Sequence, residues 1–207
     1  MPDYKLYGRP GSGSIAVQIA LEEIGAAYER VWIGSEAADL AAFRAVNPTG
    51  KVPALALPGG EVMFESAAIL IHLALAHPAA RVAPPAGTPA HARFLQWVVF
   101  LSANLYDAAL RIYYSDRYSS LGAAGAEAVR EAATGEFTRH LELISSRLDP
   151  YVLGKDHSLA DGYLYMLASW YPGERAELQR RSPALATHAR LLEARPSVVK
   201  TLAETAG

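Results

Sequence analysis

The sequence contains no cysteine. That absence excludes disulfide bridges, thiolate metal sites and any sulfur nucleophile supplied by the chain itself. Its six histidines, at 72, 77, 91, 140, 157 and 188, include no i, i+4 pair and no H-E-x-x-H run. A histidine-built metal centre is therefore not expected. Charge of one sign is also lacking: 19 Lys and Arg stand against 21 Asp and Glu, a net of −2. No basic footprint for a nucleic-acid partner results. No apolar run approaches the roughly 18 residues of a membrane span. Asp3 and Lys5 ahead of a short strand pattern do not read as a signal peptide. The expectation is a cytoplasmic protein with neither a membrane nor a nucleic acid as partner.

What is present divides into two textures. Over the first eighty residues short strand patterns alternate with helices. "YKLYG" reads as a strand and 15–24 as a helix with apolar residues at 15, 16, 19, 20 and 24, stopped by Gly25. "YERVWIG" alternates as a second strand, and "DLAAFRAV" is a short helix ended by Asn47-Pro48. "VPALAL" and "EVMF" are strands three and four across a Gly59-Gly60 hairpin, and a helix runs from about Ser66 to Ala76. The order is βαβ-α-ββα, with a mixed four-stranded sheet, because two residues cannot make a parallel crossover.

A proline-rich stretch at 79–89 reads as a linker between a domain at 1–78 and another at 90–207. Beyond it the pattern is helical throughout. Phe94, Trp97, Val98, Leu101 and Leu105 mark one long helix, "AAGAEAVREAATGEFTRHLELISSRL" another and "LADGYLYMLASW" a shorter apolar one. Two more follow Pro183 and Pro196. The fold class is therefore α/β followed by an all-α bundle.

The loop "GRPGSGSIAV" at 8–17 raises the question of chemistry. Gly11, Gly13 and Ala16 fit a G-x-G-x-x-A dinucleotide fingerprint. Arg9 and Pro10 separate that loop from the strand, however, and the hairpin breaks the parallel sheet a dinucleotide fold needs. A P-loop would require a Gly-Lys-Ser/Thr ending, which is missing. Ser14 is placed to cap the first helix. Ser12 is left for another purpose.

"NPTGKVPALALPGGEVMFESAAIL", with "SLAD" at 158–161, resembles the glutathione transferase family in content, order and spacing. The resemblance spans essentially the whole chain. It implies a thioredoxin-like N-terminal domain, an all-helical C-terminal domain, glutathione as co-substrate and a homodimer. It also implies a cis bond between Val52 and Pro53 at the start of an edge-like strand, with the main chain of Val52 turned out to pair with the peptide. Glu65 and Ser66, at a helix start, would hold the ammonium and carboxylate of the γ-glutamyl end. Lys51 would meet the glycyl end. Ser158 and Asp161 form a capping box with a structural role, although His157 and Gly162 stand where a hydrophobic staple would sit.

In thioredoxin-like folds the reactive group lies at the N-terminus of the first helix, where the dipole favours a thiolate. With no cysteine in the chain, the thiol must be the ligand's. Gly13 stands where the beta class of the family carries cysteine. Ser12 is the first candidate to donate to the glutathione sulfur, with Ser14 and Tyr7 as alternatives. The small hydrophobic electrophile is expected against helical side chains of the second domain, with Tyr106, Tyr113, Tyr114 and Trp170 as its candidate pocket. The implied activity is transfer of the glutathione thiol to that electrophile. A non-catalytic glutathione-binding or protein-interaction module of the same fold is the alternative.

Overall fold

The computed structural model describes residues 3–205. It falls into two compact units, one running up to Thr88 and resuming at Glu193, the other spanning Pro89–Leu192. In the first unit β1 (Tyr4–Gly8), α1 (Ser14–Glu23), β2 (Tyr28–Trp32) and α2 (Ala37–Phe43) precede β3 (Ala54–Ala56), β4 (Val62–Phe64) and α3 (Ser66–Ala76). The strand order is β2-β1-β3-β4. β1 and β2 are parallel, and β3 runs antiparallel to both β1 and β4. This is the expected mixed sheet with its hairpin at one edge.

One detail differs. The third strand begins at Ala54, not Val52, and lies in the sheet interior rather than at an edge. The edges belong to β2 and β4.

Period two in β1 sorts its side chains to opposite faces. Tyr4 and Leu6 are buried on one face, where the Tyr4 hydroxyl meets His77 at 2.8 Å at the end of α3. α1 and α3 pack together there, and Leu6, Val17, Leu21, Leu55, Leu70 and Leu73 are fully buried. On the other face Tyr7 meets Phe43 of α2 with ring centroids 5.8 Å apart. α1 ends because Gly25 adopts a φ of 66°, which a residue with a Cβ adopts only under strain.

The last helix, α10 (Pro196–Thr205), closes this unit. The sequence pattern assigned it to the helical stretch from 90 to 207. Instead its residues pack on α1, because its polar face is complementary to that of α1. Arg195 grips the buried Glu23 with two hydrogen bonds of 2.6 Å, and Lys200 pairs with Glu22 at 2.8 Å. Glu204 accepts from Gln18 at 2.7 Å and also pairs with Arg30 of β2.

The second unit is helical: α4 (Pro89–Phe100), α5 (Asp107–Tyr113), α6 (Gly122–Ser145), α7 (Leu159–Ala168), α8 (Arg175–Arg181) and α9 (Pro183–Glu193). α10 (Pro196–Thr205) then returns to the first unit. Between α4 and α5 the chain widens into a π-helical stretch, Leu101–Tyr106, so the long helix read from Phe94 to Leu105 is one rod with a bulge. α7 is buried nearly all round, with Tyr163 wholly enclosed. Its capping box is intact, and Asp161 Oδ2 accepts the Ser158 N–H at 2.8 Å. Asp161 also accepts the Val152 N–H at 2.8 Å and faces His188 at 3.0 Å. Among the described residues no helix is long and apolar enough to cross a membrane.

Candidate active site

The sheet register defines where a site can form. Tyr7, Ala54 and Phe64 stand side by side in β1, β3 and β4. The loop after β1, the segment before β3 and the turn after β4 therefore emerge at one end of the sheet. α1 and α3 both begin there, with their first-turn N–H groups and dipoles directed to the same end.

The loop after β1 is a closed hydrogen-bonded turn. Ser12 Oγ lies 2.7 Å from the Arg9 carbonyl and 2.8 Å from Ser14 Oγ, and Ser14 Oγ accepts the Arg9 N–H at 3.1 Å. The Arg9 guanidinium donates to the carbonyls of Ile33 and Gly34 at 3.2 and 2.8 Å, which fastens the loop to the end of β2. Ser14 is buried, whereas Ser12 is partly exposed.

Ser14 is not the helix cap that its position suggested. The N-cap is Gly13, with φ −57° and ψ −11° and no side chain to offer, and Ser14 is the first helical residue. The serine hydroxyl turns back to Arg9 because Gly8 leaves it the room. A Cβ built on Gly8 would lie 2.6 Å from Ser14 Oγ.

The Val52–Pro53 bond is cis, as the resemblance implies, and so is Asp149–Pro150, which nothing in the sequence suggested. Among the described residues the N–H and carbonyl of Val52 have no main-chain partner. The preceding loop is held from inside by Asn47, a fully buried residue. Its Nδ2 donates to the Lys51 carbonyl at 2.7 Å, and its Oδ1 accepts from the N–H and hydroxyl of Thr49 at 3.1 and 3.0 Å. Lys51 itself projects into solvent.

Glu65 is the most unusual residue of the site. It is the N-cap of α3 with φ 70° and ψ 107°, a conformation that costs a non-glycine residue about 1–3 kcal/mol. Its carboxylate is exposed and forms no hydrogen bond or ion pair with a described residue. Ser66 beside it is buried as the first residue of α3.

In the second unit three of the four expected aromatic residues come together. Tyr106, at the end of the π-helical stretch, meets Trp170 edge to face at 5.2 Å, and the Tyr113 hydroxyl donates to the Trp170 carbonyl at 2.8 Å. Partial burial pushes the Tyr113 hydroxyl pKa up, so it remains a donor at neutral pH. Tyr114 is engaged elsewhere, with the Arg117 guanidinium 4.1 Å above its ring. A cavity of about 190 Å³ in this unit lies among α7, α8 and α9 and contains none of these four side chains.

Residues 14–76 match the family model for the glutathione S-transferase N-terminal domain. An uncharacterized GST-like protein of Escherichia coli K12, YncG, is 31% identical over 175 residues that make up 82% of each chain. The chain belongs to the glutathione S-transferase family. Solved structures agree across the whole length. A sphingomonad glutathione S-transferase complexed with glutathione is 31% identical, with a TM-score of 0.80 and 98% of each chain covered. A glutathione transferase homolog from Sulfitobacter with bound glutathione is 27% identical, with a TM-score of 0.88 and 99% of each chain covered.

Within this glutathione S-transferase fold, three site features had no usable signal in the sequence. Asn47 looks like a helix stop, and only its burial shows that it braces the Lys51–Val52 segment. Gly8 looks like the end of a strand, yet its missing side chain seats Ser14. The π-helical stretch that carries Tyr106 has no compositional mark at all.

Proposed function

We propose that this protein is a glutathione transferase, which binds glutathione at the shared end of β1, β3 and β4 and activates its thiol for attack on a small hydrophobic electrophile. One observation carries the reading. The register of the sheet gathers, at two helix N-termini, a serine-lined loop, a strand-like main chain and an acidic N-cap, the last two without a partner among the described residues. Those are the complements of a thiol, a peptide and an amino-acid head group.

In this reading the γ-glutamyl ammonium lies against Glu65, and its carboxylate lies against Ser66 and the first turn of α3. The cysteinyl N–H and carbonyl pair with Val52 as one added strand. Lys51 is placed to meet the glycyl carboxylate. The sulfur then lies at the start of α1, within reach of the partly exposed Ser12.

A free thiol of pKa ~8.5 is only a few per cent ionised at neutral pH. A hydroxyl hydrogen bond to the sulfur, together with the helix dipole, favours the thiolate over the thiol. The thiol proton leaves to solvent, the thiolate lone pair forms the new carbon–sulfur bond, and the electrophile's leaving group departs with its bonding pair, as halide ion in the case of an aromatic halide. Tyr7 packs on Phe43 and is not required for this step. Tyr106, Tyr113 and Trp170 supply the apolar surface for the electrophile. The sequence placed Tyr114 in the same pocket, and with Arg117 on its ring it contributes least.

The working form is proposed to be a cytoplasmic homodimer. Phe64 on the edge strand β4 and Leu75 on α3 are large apolar side chains, 41% and 51% exposed in the single chain, which a second copy could cover.

Retention on immobilised glutathione, followed by a conjugation assay with an activated aromatic halide, tests the proposal. Retention with turnover is expected. Retention without turnover would assign the fold a binding role only, and no retention would overturn the proposal.

A further inference from the structure

The two serine hydroxyls carry one proton each, and the loop offers them more acceptors than they can serve at once. Both lie within reach of the Arg9 carbonyl, at 2.7 Å for Ser12 and 3.1 Å for Ser14, and they lie 2.8 Å from each other. Two further donors point at them: the Arg9 N–H at Ser14 Oγ, 3.1 Å, and the Ser14 N–H at Ser12 Oγ, 3.3 Å. Two arrangements satisfy this set. In one, Ser12 donates to Arg9 and Ser14 donates to Ser12. In the other, Ser12 donates to Ser14 and Ser14 donates to Arg9.

Either arrangement uses the Ser12 proton inside the loop. A donation from Ser12 to a ligand must therefore be offset within the same loop. Ser14 can do this. When it donates to Ser12 Oγ, that oxygen accepts both the N–H and the hydroxyl of Ser14, and the Ser12 proton can leave the Arg9 carbonyl, which keeps the Ser12 N–H at 3.3 Å, and turn toward a ligand. The buried position of Ser14 keeps it from the ligand and confines its own proton to the loop. Gly8 makes this seat possible, because any Cβ there would fall 2.6–2.7 Å from the Ser14 side chain.

We propose that Ser14 is a positioning residue that acts through Ser12: it donates to Ser12 Oγ, orients the Ser12 hydroxyl toward the bound sulfur and strengthens it as a donor. Chained hydrogen bonds polarise one another, so the second hydroxyl sharpens the first. No proton passes to either serine. The thiol proton goes to solvent, and the pair redistributes hydrogen bonds only. This inference rests on the reading of Ser12 as the donor to the glutathione thiol.

The test is an ultraviolet titration of the glutathione thiolate bound to the parent protein, Ser12→Ala, Ser14→Ala, the double variant and Gly8→Ala, with thermal unfolding of each as a check on folding. Ser12→Ala is expected to raise the apparent pKa of the bound thiol by roughly one to two units. Ser14→Ala should raise it by about half as much, with glutathione affinity within a few fold of the parent. The double variant should match Ser12→Ala alone, because Ser14 has no route to the sulfur except through Ser12. Gly8→Ala displaces Ser14 without deleting its hydroxyl and should mimic Ser14→Ala, which keeps the test usable if Ser14→Ala folds poorly.

A folded Ser14→Ala or Gly8→Ala protein with the parent's thiol pKa overturns the relay while leaving Ser12 as donor. Additive effects in the double variant would show Ser14 acting independently of Ser12 and would also overturn it. A Ser12→Ala protein with an unshifted thiol overturns the underlying reading itself.

Discussion

Glu65 concentrates the case for a ligand in one residue. Its backbone is held at φ 70° and its carboxylate has no partner among the described residues, so the fold gains from its charge only through the α3 dipole, about 0.3–1 kcal/mol. Removing it should separate binding from stability. Glu65→Ala is expected to weaken glutathione binding by about 1.5–3 kcal/mol, the usual worth of a hydrogen bond to a charged group. Glu65→Gly should weaken binding equally while raising stability by up to ~1 kcal/mol through relief of backbone strain. Calorimetry with glutathione and thermal unfolding read the two effects, and unchanged affinity in either folded variant removes Glu65 from the site. Asn47 behaves in the opposite way. Asn47→Ala leaves the Lys51 carbonyl and the Thr49 N–H without their buried partner, at a cost of about 1–3 kcal/mol, and should also loosen the Val52 segment. Both stability and glutathione affinity are expected to fall, and a loss of stability alone would show that the loop does not position Val52.

At the scale of elements, the sequence was most legible where local rules act alone. Ser66–Ala76 matches its expected span, the Gly59-Gly60 hairpin joins β3 to β4, and the Ser158–Asp161 cap holds although the hydrophobic staple is missing. It was least legible where a distant partner decides. α10 carries an ordinary amphipathic pattern, and only its contacts reveal that Arg195 and Lys200 bind α1. Ser14 obeyed the local rule for a helix cap until Arg9 and an empty Gly8 position drew its hydroxyl away. α8 was missed outright because "ERAELQRR" is mostly charged, with Leu178 its one buried residue. Arg195→Ala removes the charge partner of the Glu23 carboxylate, leaving it the Ser197 hydroxyl, and should cost about 1–3 kcal/mol, measured as a lowered urea midpoint. A midpoint within error of the parent would show that α10 does not brace α1. Between α5 and α6, the hydrogen bond from Arg111 holds the Glu136 carboxyl below its usual pKa. A carboxyl lowered in the folded state stabilises above its unfolded pKa and loses that contribution as pH falls through the lowered value. With Glu136 partly exposed the contribution is no more than about 1 kcal/mol. Glu136→Gln should therefore be less stable than the parent at pH 7 and converge with it as pH falls through the lowered Glu136 pKa; a constant difference would contradict this.

For the whole molecule, the proposed activity turns on a thiol that the chain does not supply, because the sequence holds no cysteine. A ligand that binds only the folded protein stabilises it by about 2.7 kcal/mol at a hundred times its dissociation constant, so glutathione should raise the unfolding temperature of the parent. Stabilisation alone, however, does not distinguish an enzyme from a binding module. The deciding measurement is the pH titration of thiolate absorbance in the parent protein saturated with glutathione, referenced to its complex with S-methylglutathione. The bound thiol is expected to ionise at least about one unit below the ~8.5 of a free thiol. A bound thiol that titrates at the free value would contradict it.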